Sequence, residues 1–239
     1  MAGGGCPHPA RGLPCAEVFG DVSQRWKSHP WAALYDFVVE REQLAGPLGR
    51  VFFGTDMSRL YEAATRAIGE VADGSGILDV PCGGGVALRG LDPGRTVRYV
   101  AADIAPAMLE RTAREAAGRG LGQVELVEAD IEALPFADGE FELCLSFTGL
   151  HCVPRPRIAV AELARCTALD GRICGSWFAT DTGALYEPVR VLGRASGLLG
   201  PSCSVAAVRG WLADEGFCDV AVATSGAIAH FSARRFPPT

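Results

Sequence analysis

The sequence predicts an α/β fold, a mostly parallel sheet with helices on both faces, and three observations carry that expectation. Strand-length apolar runs alternate with helical segments from about residue 58 to residue 178, the pattern of a doubly wound sheet. Three successive runs close on, or are followed by, an acid: Ile77-Leu78-Asp79, then residues 97–102 before Asp103, then residues 124–129 before Asp130. In a parallel sheet those acids share the carboxyl edge, where ligands bind. The end of the chain differs, because residues 217–223, Ser225-Gly226 and residues 227–233 read as an antiparallel hairpin.

Each element has its own signal. Residues 1–30 are expected to be a flexible leader, with no apolar core of the kind a secretory signal needs. Residues 31–44, WAALYDFVVEREQL, space their apolar groups as a helix does. A second helix is predicted from Ser58 to about residue 72, stopped by Asp73-Gly74-Ser75-Gly76. The first strand follows, and then the turn Gly83-Gly84-Gly85 and a short helix ending before Asp92-Pro93-Gly94. Pro106 opens the next helix, where its missing N–H costs nothing; it runs to about residue 119 with Met108, Leu109 and Ala113 on one side. Asp138-Gly139 turns the chain into a strand at 141–147, followed by a helix at 157–168 and a strand at 172–178. Residues 181–210 read as an extra helical piece before the hairpin.

Composition narrows the function classes. The 239 residues fit one large domain, and 49% of them are apolar, enough for a sizeable core. With 22 basic against 28 acidic residues, the formal charge of −6 argues against a nucleic-acid surface. No stretch approaches the roughly 18 apolar residues of a membrane span. The nine cysteines are odd in number, scattered and without a C-x-x-C pair. That favours a reducing cytoplasm over a disulfide framework. Cys6, His8, Cys15 and His29 match no zinc-ligand spacing, so no metal is expected.

The stretch ILDVPCGGG, residues 77–85, is the most informative. Glycines at the carboxyl end of a strand let the backbone turn sharply and approach a ligand without a Cβ in the way. Alone such a turn is weak evidence, since nucleotide, flavin and phosphate sites all use one. Taken with ADIAPAML at 102–109, with EADIEALPFADGEFELCLSFTGLHCV at 128–153 and with ELARCTALDGRICGSWF at 162–178, it resembles the class I S-adenosylmethionine-dependent methyltransferases. The likeness is strong over roughly residues 60–178, and is closest to the branch that methylates small molecules such as quinone precursors and natural products.

The resemblance implies a Rossmann-like seven-stranded sheet, parallel but for one strand, with a helical lid at about 31–58 and 181–210. It implies S-adenosylmethionine as cofactor and a small-molecule acceptor. Asp103 would take the ribose hydroxyls, since an ionised carboxylate accepts two hydrogen bonds in a fork. Asp130 would accept from the adenine amine beside the backbone of Ile131, with Ile104 and Met108 on the adenine faces. The methionine half would lie against Pro81, Gly83 and Phe147, with Asp79 and Gly85 completing the turn. Pro81 departs from the family, which has glycine there; proline removes an N–H, but a carbonyl is what the cofactor is expected to meet.

His151 follows the fourth predicted strand, and two roles stay open for it. Its ordinary pKa of about 6.5 suits proton removal, or it orders the loop. Trp31, Tyr35, Tyr186 and Arg190 are the candidate substrate contacts of the lid. Two other functions remain: a nicotinamide-binding oxidoreductase, whose fingerprint also uses glycines and a downstream acid, and a non-catalytic cofactor-binding scaffold. Oligomeric state is not legible.

Overall fold

A computed structural model describes residues 50, 54–55, 58–197 and 199–236. The expected leader, the helix at 31–44 with Trp31 and Tyr35, and the Cys/His set at 6–29 lie outside the described residues.

Helix α1, Ser58–Gly69, buries Leu60, Tyr61, Ala64, Ala67 and Ile68 as a stripe recurring every three or four residues. It ends short of residue 72, at a glycine that costs about 1 kcal/mol relative to alanine within a helix. Strand β1, Gly76–Asp79, leads into the glycine turn and a single 3₁₀ turn, Val86–Gly90. Then come β2 (Arg98–Asp103), α2 (Pro106–Gly118), β3 (Val124–Glu128) and β4 (Phe141–Phe147). Helix α3, Pro156–Cys166, passes directly into β5, Thr167–Phe178. The predicted helix to residue 168 ends early because the Thr167 hydroxyl donates back to the Leu163 carbonyl, 2.7 Å away, and Gly171 leaves no room for a side chain beside the Ala168 carbonyl. A 3₁₀ turn at Ala184–Tyr186, α4 (Glu187–Ala195), α5 (Val205–Asp214), β6 (Phe217–Ser225) and β7 (Ile228–Arg235) complete the chain as described.

The seven strands form one sheet in the order β3-β2-β1-β4-β5-β7-β6. The first five pair in parallel, and β7 runs antiparallel to both of its neighbours, β5 and β6. Central strands buried on both faces need continuous apolar sequence, and Ile77, Leu78, Leu143, Cys144 and Leu145 are fully buried. One face packs on α3 and α5 through Leu163, Val208, Leu212, Trp177 and Phe231. The other packs on α1 and the 3₁₀ turn through Ile68, Leu88, Tyr99 and Leu143.

The expected cover at 181–210 divides in two. α5 belongs to the scaffold: Val208 and Leu212 are buried against the sheet, and Ser204 caps the helix by accepting from Ala207 N–H at 3.1 Å. The 3₁₀ turn and α4 instead pack through Tyr186 and Val189 on Phe178 and Ile228 at the sheet's end, and there Leu185, Val191 and Leu192 are exposed.

Candidate functional site

A pocket opens where β1, β2 and β4 end. Asp79, Pro81, Gly83, Asp103, Ile104, Met108, Asp130, Ile131 and Phe147 all line it, as do Leu60, Cys82, Thr148 and Cys152. The fold brings them together because strands of one parallel sheet deliver their carboxyl ends to a common edge.

The glycine turn is fixed by side chains from β2 and α2. Asp103 accepts from the N–H of Gly83 and from that of Ala105, each at 2.9 Å. The carboxylate, with about four acceptor positions in all, keeps room to accept from a ligand. The Thr112 hydroxyl donates to the Gly83 carbonyl at 2.8 Å and lies 3.6 Å from the Cys82 sulfur. Gly83 has φ +51°, and a Cβ built on it would meet no atom within 4 Å, so the turn leaves open room where the pocket lies. Gly85, at φ +82°, does not line the pocket; it starts the 3₁₀ turn, and a Cβ there would press on Leu88 and Thr112. Pro81 fills the space beside the loop after β4. A Cβ on Gly149 would stand 2.5 Å from the Pro81 ring, so this proline requires that glycine.

Asp79 is 2% exposed and accepts from the Tyr99 hydroxyl at 2.8 Å. Burial pushes its pKa up to about 7, against the pull of that hydrogen bond and with a further push from Asp103. Burial also raises Asp103, opposed by the backbone N–H groups it accepts from. Among the described residues no basic side chain pairs with either acid. Asp130 turns its loop by accepting from Glu132 N–H at 2.9 Å. Glu132 then clamps the start of α3, taking the backbone N–H and guanidinium of Arg155 at 2.6 and 2.8 Å.

Three sequence expectations meet a different geometry. His151 is buried beneath the loop, outside the pocket lining, and its Nδ1 accepts from Phe178 N–H at 3.1 Å. The neutral ring therefore carries its proton on Nε2 and has no lone pair free to take another. Burial lowers its pKa to about 4. The base role is corrected: His151 fastens the post-β4 loop to β5. Arg190 is 3% exposed, donates to the carbonyls of Ala179 and Gly183 and to Thr182, pairs with Glu187, and lies over the Phe178 ring. It anchors α4 rather than contacting a substrate. Tyr186 packs with Phe178 and Ile228, its hydroxyl against Gly54, again outside the pocket lining.

Tyr99, Thr112 and Thr148 had no signal in the sequence that set them apart from core or turn residues. Thr148 takes φ +55°, uncommon for a residue with a Cβ, and lines the pocket.

The strand order, the open glycine turn and the acids at the ends of β1 and β2 and after β3 define the class of a Rossmann-like methyltransferase fold. Residues 78–175 match the family described as methyltransferase domain. Over those residues, less than half of the chain, it carries the fold and the sequence likeness of an S-adenosylmethionine-dependent methyltransferase domain. The match favours the methyltransferase reading over the nicotinamide alternative. An uncharacterised protein of Mycobacterium tuberculosis is 34% identical over 141 residues, which are 59% of this chain and 46% of that one. The demethylmenaquinone methyltransferase of Clavibacter sepedonicus is 39% identical over 118 residues, 49% of this chain and 46% of its own. This chain thus matches about half the length of these curated relatives. Geranyl diphosphate C-methyltransferase of Streptomyces coelicolor, solved with Mg²⁺, geranyl diphosphate and S-adenosylhomocysteine, has a TM-score of 0.68 at 13% identity, covering 93% of this chain and 100% of that one. At that identity the likeness is one of fold.

Proposed function

We propose that the protein methylates a small, largely apolar molecule at an atom that is nucleophilic without help from a histidine or lysine base. One observation carries this reading: among the described residues, the pocket walled by Ile104, Met108, Ile131 and Phe147 is lined by three acids but by neither histidine nor lysine. In that pocket Asp103 would take the ribose hydroxyls, and Asp130 the adenine amine beside Ile131. Ile104 and Met108 would cover the adenine faces. The methionine half would lie along Pro81, Gly83 and Phe147, next to Asp79.

When bound, S-adenosylmethionine supplies an electrophilic methyl group on a good leaving group. What the chain adds is orientation and exclusion of water, and holding two reactants in line can be worth about 7–11 kcal/mol of barrier. An amine, an enolate or an acidic phenol would suit a site whose described lining offers neither histidine nor lysine. The name of the menaquinone relative and the apolar walls both fit an acceptor of that kind. α4, held by Arg190, would form part of the cover over the acceptor; whether Trp31 and Tyr35 complete it belongs to the same proposal.

The test is formation of S-adenosylhomocysteine with a panel of phenols, enolisable carbonyl compounds and amines. Turnover with apolar members supports the reading. Cofactor binding without turnover on any of them favours the non-catalytic module, and tight NADH binding with neither sulfur ligand bound would overturn the cofactor assignment.

A further inference from the structure

We propose that Asp79 is the group by which this pocket tells the sulfonium cofactor from its uncharged-sulfur product. The inference rests on the cofactor reading above and deepens it. In methyl transfer the acceptor's electron pair forms the new bond to carbon, and the pair of the broken C–S bond stays on sulfur. The sulfur thereby loses its positive charge. S-adenosylmethionine carries one more positive charge than S-adenosylhomocysteine, and the two otherwise differ by a methyl group.

The geometry makes Asp79 sensitive to that charge. It closes β1 directly before the Val80-Pro81 segment that would face the methionine half, and it lines the pocket. Facing it are Tyr99 and Asp103 from β2, Cys82 from the turn, and Asp130 across the pocket. β4 opposes it with Leu145, and α1 contributes Leu60 to the lining. None of these is a cation, and among the described residues the side-chain hydrogen bond from the Tyr99 hydroxyl only partly offsets burial. A carboxyl so placed is held partly neutral near neutral pH. A sulfonium beside it favours the ionised form, and a thioether does not. By linkage, S-adenosylmethionine binding must release more protons than S-adenosylhomocysteine binding, and its relative affinity must rise as Asp79 ionises.

Titration calorimetry of the full chain with each sulfur ligand, in buffers of different ionisation enthalpy from pH 5.5 to 8.5, reads both quantities. The ratio of affinities, S-adenosylmethionine over S-adenosylhomocysteine, should rise by about fivefold or more across that range, with the excess proton release centred near neutral pH. Asp79→Asn should flatten the ratio and weaken S-adenosylmethionine more than its product. Tyr99→Phe removes the bond that favours the ionised form, so the rise should persist but move to higher pH; this second variant stands if the first fails to fold. A flat ratio in the wild type, or equal weakening of both ligands by Asp79→Asn in a folded protein, overturns the proposal while the cofactor reading stands. Failure of both ligands to bind folded wild-type protein overturns the two together.

Discussion

Asp103, Asp79 and His151 show how far residue type alone carries. Asp103 is held by backbone N–H groups and keeps room to accept from a ligand, so Asp103→Ala should weaken S-adenosylmethionine by about 1.5–3 kcal/mol, the range for hydrogen bonds to a charged group. Circular dichroism should show the fold kept, and unchanged affinity would remove it from the ribose role. Asp79 has an opposite effect on the empty protein. Its pKa is about 7 when folded against 3.8 ordinarily, so the folded state holds the extra proton between those values. Stability from this group is full below pH 3.8, falls as pH rises, and is lowest above pH 7. Asp79→Asn should therefore stabilise the ligand-free protein at pH 8, by up to about 4 kcal/mol, with no gain near pH 4. Urea denaturation at the two pH values checks the sign. For His151→Ala the loss should be structural: about 1–3 kcal/mol for an orphaned Phe178 N–H, with kcat changed less than tenfold and no loss of a rate dependence near pH 6.5. The acids were legible because a strand end and a glycine turn fix where a short side chain points. His151 was legible only as two alternatives, since neither motif nor spacing decides its role; that depends on which way one loop turns it, toward Phe178 N–H.

At the scale of elements, β1, β2 and β4 could be read to within a residue because buried parallel strands leave continuous apolar runs. The junction of α3 and β5 could not, because its end is set by the Thr167 hydroxyl and the crowding at Gly171 rather than by a breaker. The lid was half legible: its helical character is in the sequence, but the anchoring of α4 by one buried arginine is not. Arg190→Met keeps the apolar stem over Phe178 and removes the bonds to Ala179, Gly183 and Thr182. Limited proteolysis should then cut within residues 183–197 faster than in the wild type, and the acceptor KM should rise more than kcat falls. Equal cutting rates would show that α4 is held by its other contacts. Gly149→Ala tests the pairing of loop and proline: the added methyl meets Pro81, and cofactor affinity should fall although residue 149 lies outside the pocket lining. Restoring glycine at the family's position, Pro81→Gly in the same chain, should recover part of the loss.

For the whole molecule, the last strand of the sequence is not the last strand of the sheet. β7 sits between β5 and β6, pairing with β5 from Phe178↔Ile228 to Arg172↔Arg234. A ribosome that has delivered everything up to β6 has made five strands that can pair and a sixth that cannot yet join them, with β5 presenting an unpaired edge to its surroundings. The sheet is therefore completed by insertion rather than by addition, and a translation product broken off before residue 228 carries an open seam that invites pairing with another chain.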